Sequence, residues 1–182
     1  MGYVVDVIDT VDGIVSACSL DDIKRDDPDT TVIPVPPIIG GLPFMVDAIL
    51  KRTKNHEINV LRIWGHGGAG IQNIAAGHSA DGWRTDGSLD IRHFEQAAGL
   101  LSTLHSRFYS CKSRIELRGC RVAAGSRGRE LMLAVSKAVG VRVLAAVDYQ
   151  SRMYWHNSVF QADPDGGFKR VFYTSSDIVY SD

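Results

Sequence analysis

The sequence predicts an α/β fold, a three-layer α/β/α sandwich with a mostly parallel central sheet and a C-terminal hairpin. Three observations carry that expectation. Short runs rich in Val and Ile recur along the chain, such as Tyr3 to Ile8 and Ile58 to Trp64. Segments with apolar residues at three-and-four spacing separate them. The run Val141 to Val147 is apolar throughout, as suits a strand covered on both faces.

In chain order, Tyr3 to Ile8 reads as the first strand, and Gly13 suggests a turn into a partner strand, Ile14 to Cys18. Asp21 to Thr30 is acidic and reads as a solvated loop. Val32 to Pro37 is extended but holds three prolines, which suits an edge strand and not a central one. A helix follows from about Leu42 to Asn55, with Leu42, Met45, Val46, Ile49 and Leu50 on one face and Pro43 in its first turn. It delivers the chain to Ile58–Trp64, and strand–helix–strand calls for a parallel pair with a covering helix. Gly70 to Asp90 is a long polar connection. Asp90 is placed to cap a helix from about Ile91 to Tyr109, whose buried face runs Phe94, Ala97, Ala98, Leu101, Leu104 and Phe108. Ser113 to Leu117 is a strand, Gly128 to Val139 a helix closed by Gly140, and Ser158–Gln161 with Phe168–Tyr173 a hairpin.

Composition restricts the function. At 182 residues the chain fits one domain, 1–182, in which 1–57 supplies the first strands and helix and 58–172 the core. Hydrophobic residues at 45% and charged residues at 23% are ordinary for a globular chain. A net charge of −1 without a basic run disfavours nucleic acid as a partner. The N-terminal residues lack the basic start of a secretory signal, and no apolar stretch is long enough to span a bilayer. The three cysteines, Cys18, Cys111 and Cys120, have the spacing of neither a disulfide framework nor a zinc site. The expected location is cytoplasmic, or exported without an N-terminal signal peptide, with no membrane partner.

The chemistry concentrates at two strand ends. Ile58–Trp64 runs into Gly65-His66-Gly67-Gly68, and Arg114–Leu117 runs into Arg118-Gly119-Cys120, 54 positions after the histidine (120 − 66). In a parallel sheet both would lie at the carboxyl edge, where α/β folds place their sites. A cysteine attacks only as thiolate, and a thiol of pKa about 8.5 needs a base to reach that form near neutrality. An imidazole can take the proton and later return it to a leaving amine. The backbone N–H groups of Gly67 and Cys120 are the natural donors to a developing oxyanion. Taken singly, a cysteine is often a small buried hydrophobe and a turn histidine is often satisfied by backbone. Cys18 and Cys111 read as structural, His56, His93 and His105 as surface or packing residues, and His78 and His156 as loop residues.

A strand ending in His-Gly, then a strand ending in Cys about 50 residues later, resembles the caspase-like cysteine peptidases, clan CD. Gly119-Cys120-Arg121-Val122-Ala123-Ala124-Gly125, then Gly128, Leu131 and Val143-Leu144-Ala145-Ala146, is similar to bacterial caspase-like domains with a Gly-Cys-x-x-Ala motif. The resemblance covers Ile58 to Phe172. It implies a caspase-like sandwich and a cysteine endopeptidase, possessing a Cys–His dyad, that acts on protein or peptide substrates in autoprocessing or as an effector or regulatory protease. His66 would be the acid/base, Cys120 the nucleophile, and Gly67 with Cys120 the oxyanion hole; the chemistry requires no metal or cofactor. The clan's pocket positions fall on Arg118 and on Asp148 to Arg152. Arg118 predicts an acidic residue before the cut and Asp148 a basic one. The caspase Gln-Ala-Cys is Arg118-Gly119-Cys120 here, so aspartate specificity does not carry over.

Two other functions fit the same letters. A caspase-like domain without turnover would be a binding module. His66-Gly67-Gly68 also looks like the oxyanion motif of lipases and esterases, with Ala124-Gly125-Ser126-Arg127-Gly128 as the serine elbow and Asp148 and His156 as its partners. That serine, however, follows its strand several residues too late.

Overall fold

The computed structural model describes residues 3–11, 23, 29–38, 40–75, 87–110, 112–150, 158–173 and 178–180. Its strands are β1 (Tyr3–Asp9), β2 (Thr31–Val35), β3 (Ile58–Trp64), β4 (Gly67–Gly68), β5 (Ile71–Asn73), β6 (Ser88–Asp90), β7 (Arg114–Leu117), β8 (Arg142–Ala146), β9 (Val159–Ala162), β10 (Phe168–Tyr173) and β11 (Ile178–Tyr180). The helices are α1 (Gly41–Arg52), α2 (Phe94–Ser102) and α3 (Gly125–Val139). The main sheet has eight strands in the order β11-β10-β9-β8-β7-β3-β1-β2. From β2 to β8 every pairing is parallel, and β9, β10 and β11 add antiparallel. The protein is therefore an α/β fold with a mostly parallel sheet, as expected from the alternation of strand and helix.

The two faces of the sheet differ in chemistry. Alternate residues Val5, Val7, Ile33, Val35, Leu61, Ile63, Ile115, Leu117, Val143 and Ala145 point to one face. There they form a single core with Met45, Val46 and Ile49 of α1, Leu101 of α2, and Leu131, Met132, Val135 and Val139 of α3. Burying each of the larger side chains contributes roughly 1.5–3 kcal/mol. These three helices thus cover the same face. The opposite face carries Asp6, Arg62 and Glu116 in its middle and small apolar clusters at its sides. In one of those clusters Ile23, a helical residue 3% exposed, packs with Ile8 and Trp64. Ile23 is the sole described helical residue on that face, so the second helical layer of a sandwich is represented among the described residues by it alone.

Several elements differ from their sequence reading for identifiable reasons. β2 and β3 are not neighbours, because β1 lies between them. Among its described residues, the connection Gly70 to Asp90 contains β5 and β6, which join β4 in a three-stranded antiparallel sheet. The helix expected over Ile91 to Tyr109 is broken into a 3-10 turn (Ile91–His93), α2, and a second 3-10 turn (His105–Arg107), after which Phe108 bridges to Ile58. Asp90 caps the first 3-10 turn, accepting the Arg92 N–H at 3.0 Å. Helix α3 starts three residues earlier than expected, at Gly125. Within the acidic stretch read as a solvated loop, Ile23 is buried. The strand expected over 14–18 lies outside the described residues.

Two helical glycines should respond oppositely to a methyl group. A Cβ at Gly128 would stand 2.2 Å from the Ala123 carbonyl carbon, where α3 passes the turn after β7, whereas one at Gly99 in α2 meets nothing within 4 Å. Gly99→Ala is expected to raise stability by about 0.5–1 kcal/mol through helix propensity. Gly128→Ala is expected to lower it by about 1–3 kcal/mol despite the same propensity gain. Urea-denaturation midpoints measure both.

Candidate active site

The site is built from three successive rows across β3 and β7, which pair in parallel with Arg62 opposite Glu116 and Ile63 opposite Leu117. In the first row Asp6, Arg62 and Glu116 lie side by side on β1, β3 and β7. The Arg62 guanidinium stands 3.6 Å from both carboxylates. Glu116 also accepts from Arg114 Nε at 2.6 Å and from Arg118 Nε at 2.9 Å, and Arg118 adds a second, short contact from its terminal nitrogen. Asp6 accepts from the Trp64 indole N–H at 2.7 Å and from the Thr30 hydroxyl at 2.7 Å. Two residues on, the Arg118 N–H bonds the Ile63 carbonyl at 2.9 Å, and the Arg118 guanidinium lies 5.0 Å from the centre of the Trp64 ring. Two residues further come His66 and Cys120.

Beyond the second row, contact passes from side chains to backbone. A Cβ on Gly119 would lie 2.9 Å from the Gly67 Cα and 3.0 Å from the His66 carbonyl oxygen; one on Gly67 would lie 2.7 Å from the Cys120 carbonyl oxygen. The two motif glycines are therefore required by close approach, with no positive φ involved. Gln72, fully buried, fastens the arrangement: its Oε1 accepts the Gly119 N–H at 2.8 Å and its amide donates to the Asn73 carbonyl at 2.9 Å. The Asn73 N–H bonds the His66 carbonyl at 2.9 Å. Bonded and non-bonded pairs alternate in an antiparallel ladder, so the next pair, Gly67 and Gln72, is non-bonded and the Gly67 N–H faces away from β5. The N–H of Cys120 donates to no acceptor among the described residues. Arg121 follows in the left-handed region at φ 58°, a conformation uncommon for arginine, which turns the chain sharply after the cysteine.

The loop after β8 closes over the sulfur. The Gln150 N–H donates to Cys120 Sγ at 3.2 Å, and the thiol stands 3.6 Å from the Gln150 carbonyl oxygen. The Arg121 N–H bonds the Asp148 carbonyl at 3.0 Å, and the Arg121 guanidinium stacks 5.4 Å from the Tyr149 ring centre.

The structure brings His66, Gly67, Gly119 and Cys120 together at adjoining strand ends, with His66 and Cys120 partly buried. It separates the two pocket residues. The Arg118 side chain is 5% exposed and engaged with Glu116 and Trp64, while Asp148 is exposed beside the Cys120 turn. Ser126 opens α3, exposed and past the turn that follows β7. His105 packs at the end of α3, its Nδ1 2.7 Å from the Val139 carbonyl. Cys18, Cys111, His78 and His156 lie outside the described residues. Among the described residues no three His, Cys, Asp or Glu side chains gather as metal ligands. No family model, curated protein or solved structure matches the chain.

Sequence reasoning missed Asp6, Trp64, Glu116 and Gln72. A signal existed for the carboxylates: Val-Val-Asp-Val-Ile and Arg-Ile-Glu-Leu-Arg interrupt apolar strands with charge, and a charge in a central strand demands a partner. The two carboxyls are tuned in opposite directions. Burial pushes Asp6 above its ordinary 3.8, against the pull of Arg62, Trp64 and Thr30. Burial also acts on Glu116, but Arg118, Arg114 and Arg62 together outweigh it and hold the carboxyl below 4.5.

A pH dependence of stability follows. Glu116, lowered on folding, contributes fully above 4.5 and loses that contribution as pH falls through its folded value. Asp6, raised on folding, contributes fully below 3.8 and loses it as pH rises through its folded value. Glu116→Gln is expected to cost about 3–5 kcal/mol at neutral pH by removing the carboxylate that Arg62, Arg114 and Arg118 share. That deficit should shrink below pH 4.5, which chemical denaturation at stepped pH would detect.

Proposed function

We propose that the chain is a cysteine endopeptidase of caspase-like architecture, working through Cys120 and His66. The observation that carries this reading is the adjacency of β3 and β7, which end two residues before His66 and three before Cys120 and bring Gly67 and Gly119 into backbone contact. Neighbouring strands are about 5 Å apart, a separation that two side chains rising from one edge can bridge. In the proposed reaction the imidazole accepts the thiol proton and the thiolate adds to the scissile carbonyl carbon. The Gly67 and Cys120 N–H groups then face the oxyanion. Collapse expels the amine, protonated by His66; water then attacks the thioester with His66 again as base, and cleavage of the C–S bond releases the acid product and returns the proton to the Cys120 sulfur.

The charge beside the cysteine bears on specificity. Arg118 is already paired with Glu116, which leaves exposed Asp148 as the carboxylate flanking the Cys120 turn. A basic residue before the cut is the complementary partner. A second reading, a caspase-like binding module without turnover, draws support from the Gln150 backbone against the sulfur, since that contact occupies the nucleophile.

Screening a peptide library against the wild-type protein, Cys120→Ala and His66→Ala tests both. Turnover is expected to vanish in Cys120→Ala and to fall about 10²- to 10⁴-fold in His66→Ala. Absence of wild-type cleavage, with Cys120 no more reactive towards a peptidyl chloromethyl ketone than an ordinary thiol, would support the binding module. Asp148→Asn is expected to raise KM for peptides cut after Lys or Arg about 3- to 5-fold, the equivalent of the ~1 kcal/mol of an exposed ion pair. Peptides cut after an apolar residue should be unaffected.

A further inference from the structure

We propose that Arg118 and Trp64 are positioning residues for the His66–Cys120 pair, clamped in place by Glu116 and Asp6, and that Arg118 takes no part in binding substrate. The inference rests on the peptidase reading above. Each member of the stacked pair stands two residues before a reactive residue, Trp64 as the last residue of β3 and Arg118 as the first after the neighbouring β7. Both members are immobilised by a buried carboxylate in the row beneath: Trp64 by its indole N–H on Asp6 at 2.7 Å, Arg118 by Nε on Glu116 at 2.9 Å. Both carboxylate residues are fully buried, and Trp64 is 7% exposed. The stack is the last side-chain contact between the two strands before glycine takes over on each, at Gly65 and Gly119. Glycines transmit position only as well as the chain entering them is held, so the spacing of His66 from Cys120 is inherited from the stack.

The same contacts withdraw Arg118 from recognition. An arginine reaching for a substrate carboxylate would have to leave Glu116, removing the nearest counter-charge from a carboxylate with no exposure. It would also give up the indole face. Arg62 and Arg114 stand on the same carboxylate and are not free to replace it without loss.

The test follows alkylation of Cys120 by iodoacetamide as a function of pH, read peptide by peptide by mass spectrometry so that Cys18 and Cys111 serve as internal references. The proteins are wild type, His66→Ala, Arg118→Met, Arg118→Lys, Trp64→Leu and Trp64→Phe. Wild type is expected to react at pH ~6, where a thiol of pKa about 8.5 is almost wholly protonated, and His66→Ala to lose that reactivity. Arg118→Met and Trp64→Leu should move the profile towards that of His66→Ala, with a loss of about 10-fold at that pH. Their kcat should fall without a change in KM for either acidic or basic peptides. Arg118→Lys, which keeps the charge on Glu116, and Trp64→Phe, which keeps an aromatic face, should recover part of the loss. An Arg118→Met protein with a wild-type alkylation profile and a raised KM for acidic peptides alone would overturn the proposal and return Arg118 to the pocket. Should Arg118→Met fail to fold, the Trp64 pair decides: equal profiles for Trp64→Leu and wild type would also overturn it. A wild-type profile indifferent to His66 would instead remove the peptidase reading on which the proposal stands.

Discussion

Glu116 is a carboxylate with no exposure in a central strand, and the rest of the site depends on how that charge is tolerated. An isolated ion there would cost several kcal/mol in desolvation. The chain answers with three arginines: Arg114 at i−2 on the same strand, Arg118 at i+2 just past its end, and Arg62 directly opposite on β3. Period-two spacing puts Arg114, Glu116 and Arg118 on one face, so pairing needs no bend in the strand. The consequence runs along the sheet as well as across it. Satisfying Glu116 fixes Arg118, Arg118 covers Trp64, and Trp64 is tied to Asp6 on the third strand. Three strands are thereby locked in register just below the edge from which His66 and Cys120 project. Replacing the whole cluster by apolar residues could be neutral for stability, but it would lose the directional contacts that fix register.

Above that lock the protein changes its method. Side chains give way to glycine, and the two loops are held by backbone contact and one amide, that of Gln72. Close approach of Gly67 and Gly119 leaves no room for a methyl group on either, so the loops can adjust to each other only as a unit. Among the described residues, the same arrangement leaves the N–H groups of Gly67 and Cys120 without ladder partners. Buried edges normally satisfy such donors. Here they flank a cysteine, where an acyl-transfer site would need them turned outward.

The order of strands and helices was legible because periodicity reports burial, and burial decides most of it: β1, β2, β3, β7, β8 and the β9–β10 hairpin, with α1 and α3, fall close to their expected places. The adjacency of the His66 and Cys120 loops was legible as well, since two glycine-bearing strand ends in a parallel sheet leave few other arrangements. What sequence could not show was contact between strands. Asp6 and Glu116 stand out as charges in apolar strands, but only the register shows that they meet at Arg62, and Arg118 reads as a free cation because its partner lies two residues away on the same face. β5 and β6 escaped notice for another reason. Three-residue strands carry too little periodicity to stand out among Gly, Ser and Asp, and they exist because they pair with each other and β4. The expected helix over Ile91 to Tyr109 failed at its ends, where the apolar spacing persists but 3-10 turns redirect the chain towards Ile58.

The loop after β8 remains to be placed in this scheme. It meets the Cys120 turn at the Arg121 N–H, the sulfur and the Arg121 guanidinium, so it is as firmly joined to the cysteine as Gly67 is. An N–H directed at sulfur is a donor suited to a thiolate, and the nearby carbonyl of the same residue is an acceptor suited to a thiol. Gln150 can therefore serve both protonation states without moving its backbone. For the proposed acyl transfer this matters more than simple obstruction. Attack turns the sulfur from hydrogen-bond acceptor into covalent partner, and the contact at 3.2 Å is lost at that step. A loop that stabilises the nucleophile before attack raises the barrier by whatever it fails to carry into the transition state. That cost is offset only if the released N–H finds a new acceptor on the substrate. Under the proposed reaction, the Gln150 amide would set the reactivity of Cys120 jointly with His66.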